Sequence, residues 1–114
     1  MHSRLTGSRK ARLRASSEIG SMVFAVLQLS IRLPEVHSLK EKRWHLKSLV
    51  TRIRNKFNVS ISEVDSQDSW QWATLAVAHV GSDRNHTNRL LDEVLNFVEG
   101  VRQIELVDSQ LEFY

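Results

Sequence analysis

An α+β fold is predicted by three observations in the 114-residue chain. Segments with a two-residue apolar period alternate with segments of helical period, each segment ends at its own stop signal, and their order is βαββαβ.

"MVFAVLQLSIRL", residues 22–33, reads as the first strand. Val23, Ala25, Leu27, Leu29, Ile31 and Leu33 fall on one face by alternation, while the other face starts with Phe24 and Val26 and turns polar at Gln28, Ser30 and Arg32. That is a sheet with one face on a core and one partly wet. Pro34, the only proline, ends it. A helix follows. Ser38 with Glu41 three residues on is a capping-box pattern, and Leu39, Leu46, Leu49, Val50, Ile53 and Phe57 recur at helical spacing. "FNVSISEV", 57–64, alternates again with Phe57, Val59 and Ile61 inward, and "DSQDS" supplies a hairpin connection. "WQWATLAVAHV", 70–80, is the third strand, with Ala73, Leu75 and Val77 on the core face and Gly81 breaking it. Ser82 or Asp83 caps a second helix that runs to about Glu99, buries Leu90, Leu91, Val94, Phe97 and Val98, and stops at Gly100. "QIELVDSQLEFY" closes the chain as a strand that bends near Asp108 and Ser109. This order is the ferredoxin-like arrangement, a four-stranded antiparallel sheet with both helices on one face. Right-handed crossovers set the strand order 4-1-3-2.

Apolar content of 41% and charged content of 25% are those of an ordinary soluble domain. Without cysteine the chain offers no disulfide, no thiolate metal site and no iron–sulfur cluster, and no cofactor is indicated. The longest apolar run, "MVFAVL", is far shorter than the roughly 20 residues of a membrane span, so no membrane partner is expected. The sequence pI near 9.7 is carried by the first 21 residues, where Arg4, Arg9, Lys10, Arg12 and Arg14 face one acid, Glu18. Subtracting that +4 from the chain's +3 leaves −1 for residues 22–114, the expected single domain. The basic polar tail, 1–21, reads as lying outside the fold. It is a start codon placed too early, a cloning remnant, a native arm for anionic partners, or an Arg- and Ser-rich targeting peptide.

"HSLKEKR" at 37–43, with "FNVS…EV" and "D-x-WQ" further on, resembles the YlxP family, also called domain of unknown function 503. The resemblance runs colinearly over 22–114 and leaves the tail outside. It implies the ferredoxin-like fold, a bacterial cytoplasmic protein without established activity, and work around RNA or the ribosome, since members are often encoded near translation-initiation and ribosome-maturation factors. Trp72 stands where the family leads one to expect a smaller or basic residue.

Two surfaces are candidates for function. The stretch 36–57 carries seven Lys or Arg side chains against one acid, Glu41. His37, Ser38, Lys40 and Lys42 gather at the helix N-terminus, whose amides suit a phosphate, and Arg43, Lys47, Arg52, Arg54 and Lys56 continue down the exposed side. The bland reading is a solvated helix face, and capping alone explains Ser38 and Glu41. Opposite charges at i,i+4 are nearly absent, so the helix repels itself more than a purely structural one should. The second surface is the outward sheet face, where Phe24, Val26, Trp70 and Trp72 would form a homodimer interface or stack bases. The basic-Gly-aromatic octapeptide of RNA-recognition motifs is missing.

Catalysis finds little support. Glu63, Asp65 and Asp68 flank the hairpin without a calcium-loop pattern, His37, His45, His79 and His86 are scattered, and Ser60 and Ser62 have no identifiable base. The leading expectation is a small non-enzymatic cytoplasmic binding protein, dimeric, that contacts RNA or the ribosome through His37, Ser38, Lys40, Lys42, Arg43, Lys47 and Arg54. The alternative is a dimeric regulatory or assembly module that binds a small molecule or protein at its sheet face. Protein expressed from Met22 with the solubility and activity of the full chain would leave the native-arm reading of the tail without support.

Overall fold

The computed structural model describes residues 22–114; the readings of the tail lie outside the described residues. The elements are β1 (Val23–Arg32), α1 (Leu39–Lys56), β2 (Ser60–Asp65), β3 (Trp72–Gly81), α2 (Arg84–Glu99) and β4 (Glu105–Phe113). They form one antiparallel sheet in the order β2-β3-β1-β4, the order expected from right-handed crossovers. Helix α1 packs at the β2 side, and α2 lies over β3, β1 and β4.

Alternation puts the apolar face of each central strand against the helices. Ala25, Leu27, Leu29 and Ile31 of β1 and Ala73, Leu75 and Val77 of β3 are buried, together with Leu46, Leu49 and Ile53 of α1 and Leu91, Val94 and Val98 of α2. Each fully buried aliphatic side chain contributes about 1.5–3 kcal/mol. Both helices start on side-chain caps. Ser38 Oγ accepts the Glu41 amide at 3.1 Å while Glu41 Oε1 accepts the His37 amide at 2.8 Å, and Asp83 Oδ1 accepts the Asn85 amide at 2.9 Å.

Two boundaries differ from the sequence reading, each for a local reason. Phe57 closes α1 rather than opening β2: its backbone is extended, and its amide still donates to Ile53 O at 2.8 Å, so β2 begins at Ser60. Trp70 and Gln71 precede β3, because the amide of Leu33 and the Ser69 hydroxyl hold this segment as a turn, through Gln71 O at 2.7 Å and the Trp72 amide at 3.2 Å. In β4 an irregularity adjoins Asp108, close to the expected bend. Ser30 pairs with Asp108 and Ile31 with Leu106, which leaves Val107 as a half-exposed bulge.

The alternation of β3 continues past Val77 and places His79 in the core, where it is buried beside the buried Thr87 of α2. His79 Nδ1 lies 3.0 Å from Thr87 Oγ1. Gly81 makes room for this contact, since a Cβ there would stand 2.9 Å from His79 Cε1 and 3.2 Å from Thr87 Oγ1. Burial lowers the His79 pKa below its ordinary 6.5, and nearby His86 lowers it further. The unfolded chain therefore binds a proton that the folded chain refuses. Stability is fully present above about pH 6.5 and is lost as pH falls from there toward the depressed folded value. A fall in melting temperature between pH 7.5 and 5.5 that is flattened by His79→Gln checks this. A drop unchanged in the variant would assign it to other groups.

Candidate nucleic-acid interface

The first helix has two faces of opposite character. Lys42, Leu46, Leu49 and Ile53, spaced four, three and four residues apart, form the buried stripe. Lys40, Arg43, Trp44, Lys47, Thr51 and Arg54 are exposed and lie on the outer side. The buried stripe carries the main correction to the sequence reading. Lys42, expected among the phosphate-binding residues, is 1% exposed. Its ammonium donates to Ser66 O at 2.6 Å and Ser69 O at 2.7 Å, and it stands 3.0 Å from Glu63 Oε2 as an ion pair. That carboxylate oxygen is buried and accepts no hydrogen bond, so its contact with Lys42 is one of charge alone. Lys42 thus ties α1 to the β2–β3 hairpin, and its burial keeps it from an outside ligand.

The hairpin is shaped to receive it. Ser66 takes a positive φ of 66°, with its amide donating to Asp65 Oδ1 at 2.7 Å, and the turn closes with Ser69 N–H to Ser66 O at 3.1 Å. The two carbonyls converge on the Lys42 ammonium. Next to this turn, Gln71 Nε2 lies 3.3 Å from the carbonyls of Pro34 and of Val36 and holds the loop that leads into α1. Glu63 and Asp65, weighed as metal ligands from sequence, are engaged by Lys42 and by the Ser66 amide. Among the described residues no three His, Asp or Glu side chains are grouped for a metal ion.

The remaining expected residues divide clearly. His37 is exposed and Ser38 half-buried, and both are engaged by Glu41, whose carboxylate accepts the His37 amide and brings negative charge to the helix start. Lys40, Arg43 and Lys47 are exposed, and among the described residues no carboxylate lies within ion-pair distance of them. Arg54 is exposed and spends one guanidinium nitrogen on Ile61 O at 3.0 Å, which leaves further donors open. Arg52 leans the other way, 5.2 Å over the Phe97 ring of α2.

Trp44 is the residue that sequence reasoning passed over. It is 68% exposed and sits one turn after Lys40 and one turn before Lys47. Its ring meets the half-buried His45 edge-on, centroids 4.9 Å apart at 77°. The signal was present: a tryptophan off the apolar stripe, among lysines at i−4 and i+3.

The sheet face is less suited to a polyanion. Register places Phe24 opposite Val80 at one end and Trp72 opposite Arg32 at the other, so Phe24 and Val26 are a strand's length from Trp70 and Trp72. The aromatic residues do not form one patch. Arg32 is taken by Glu105 at 2.7 Å, and Asp65, Asp108 and Glu112 pair with Thr74, Ser30 and Val26 across the sheet.

A family model described as a protein of unknown function, DUF503, matches residues 24–111, or most of the described chain. The chain belongs to this family. The uncharacterised protein YlxP of Bacillus subtilis (strain 168) is 46% identical over 77 residues, covering 68% of this chain and 84% of the relative. The DUF503 match spans both halves of the Lys42 anchor, the helix that carries the lysine and the hairpin that receives it.

The anchor has a measurable consequence. Lys42→Ala leaves the part-buried Glu63 carboxylate without its cation and the Ser69 carbonyl without its donor, and is expected to cost about 3 kcal/mol in urea unfolding. Lys42→Met combined with Glu63→Leu removes both charges and should recover much of that loss. A Lys42→Ala protein as stable as the parent would refute the anchoring role.

Proposed function

We propose that this DUF503 protein is a non-catalytic cytoplasmic binding protein that grips the sugar–phosphate backbone of RNA along α1. The observation that carries this reading is the outer band of Lys40, Arg43, Lys47 and Arg54. Apart from the tail the chain is near neutral, at −1, yet one helix concentrates its exposed positive charge. The acids Glu105, Asp108 and Glu112 lie on β4, the sheet edge away from α1. A polyanion is therefore drawn to α1 and turned away from the β4 edge. RNA is favoured over other polyanions by the family resemblance. Phosphates held by point charges give binding that is insensitive to sequence and sensitive to salt.

A second reading rests on the exposed cluster at the β1 end of the sheet. Phe24 and Tyr114 stack with centroids 5.4 Å apart, and the exposed Val80 lies opposite Phe24. Such a cluster suits self-association of a regulatory or assembly module.

Full-chain protein should bind total RNA at low salt, and alanine at Lys40, Arg43 and Lys47 together should weaken binding at least tenfold, alike for all sequences. Each phosphate contact removed should flatten the plot of log K against log salt by about 0.7–0.9. Binding unaffected by the three substitutions would refute the helix as the site. A Phe24→Ser variant separates the second reading, because it should change sedimentation without touching RNA affinity.

A further inference from the structure

Resting on that reading of α1, we propose that the helix takes single-stranded nucleic acid, with one base stacked on the indole of Trp44 while Lys40, Arg43 and Lys47 hold the phosphates on either side.

Four observations lead to this. Trp44 stands at the outermost part of the helix, 68% exposed, and takes no part in the core cluster. A large apolar ring there has no structural task. Its neighbour His45 meets it edge-on at 4.9 Å, which limits the indole's rotation while leaving most of its surface open. Among the described residues no cation lies over this ring, although Arg52, Lys56 and Arg84 cover Phe97, Phe57 and Phe113. Finally, Lys40 and Lys47 flank Trp44 by one turn in each direction, with side chains of such pairs about 5–6 Å apart at Cβ.

An open π-face between two point charges has one nucleic-acid partner that uses all of it. A base within a duplex already has both faces stacked, and the deep, narrow groove of A-form RNA keeps side chains from base edges. An unpaired base offers its face to an aromatic side chain, and its flanking phosphates fall toward cations on either side. The arrangement is indifferent to base identity, since every base has a π-face. From Lys40 to Arg54 the basic band spans about 21 Å at 1.5 Å per residue, enough for a short oligonucleotide.

The test measures affinity of the full chain at low salt for a labelled ten-nucleotide oligouridylate and for an RNA duplex of the same length. Trp44→Leu keeps an apolar, helix-compatible side chain but cannot stack a base. It should weaken binding of the single strand about tenfold and leave the duplex within about twofold, and Trp44→Phe should restore most of the loss. Because Trp44 is exposed and outside the core, neither change should move the melting temperature, which is checked in parallel. Lys40→Ala with Lys47→Ala should weaken both ligands. Trp44→Leu without effect on the single strand, or with equal loss for both ligands, overturns the stacking proposal while lysine dependence upholds the backbone reading. Loss of lysine dependence as well sinks the helix as a nucleic-acid site. A change in sedimentation of the free protein with unchanged oligonucleotide affinity assigns Trp44 to self-association and overturns the proposal.

Discussion

An ammonium group buried between helix and hairpin sets the terms for much of this molecule. Taking a lysine out of water costs several kcal/mol, and the cost is offset only if its donors are met with good geometry. Lys42 comes close to that condition: Ser66 O and Ser69 O accept two hydrogen bonds, and Glu63 Oε2 at 3.0 Å supplies the opposite charge. The hairpin must therefore present two carbonyls inward, which its left-handed Ser66 allows. The helix in turn cannot rotate about its axis without pulling the cation from its place. Fixing Lys42 inward points Trp44, two residues on and about 200° around the helix, directly outward. The inner anchor and the outer face are two sides of one constraint.

The same constraint explains which parts of the fold were legible in the sequence. Strands announced themselves because Leu27, Leu29 and Ile31, and Leu75 and Val77, repeat with the period of the pleat, and Gly or Pro marks where each stops. The capping box at Ser38 and Glu41 was readable for the same reason: its chemistry is local. Lys42 was not, because a lysine is presumed to be wet, and only its partners, 21 to 27 residues away, make burial tolerable. The spacing from Lys42 to Leu46, Leu49 and Ile53 did hold the signal, masked by residue type. Counting charges along the helix also overstated its self-repulsion. Glu63 from β2 neutralises one cation, and the Ile61 carbonyl engages another, Arg54.

The exposed band of α1 was legible in outline, and its inward residues were not. Lys40, Arg43 and Lys47 were named correctly as exposed, since nothing apolar competes for their side of the helix. His37 and Ser38 were assigned to an anion at the helix mouth, where the Glu41 carboxylate already accepts the His37 amide. Trp44 escaped notice because it belongs neither to the apolar stripe nor to the charge count. His79 looked like one scattered histidine among several until strand parity placed it beside Thr87. Residues that break the character of their neighbourhood carried the most information.

The two edges of the sheet share a property. On β2 the Arg54 guanidinium occupies the Ile61 carbonyl, and on β4 the Val107 bulge interrupts the ladder. A strand from another molecule would have to displace the one and accommodate the other, so growth of the sheet from chain to chain is obstructed at both ends. The ends of the sheet are thus guarded without proline, by one arginine and one displaced residue.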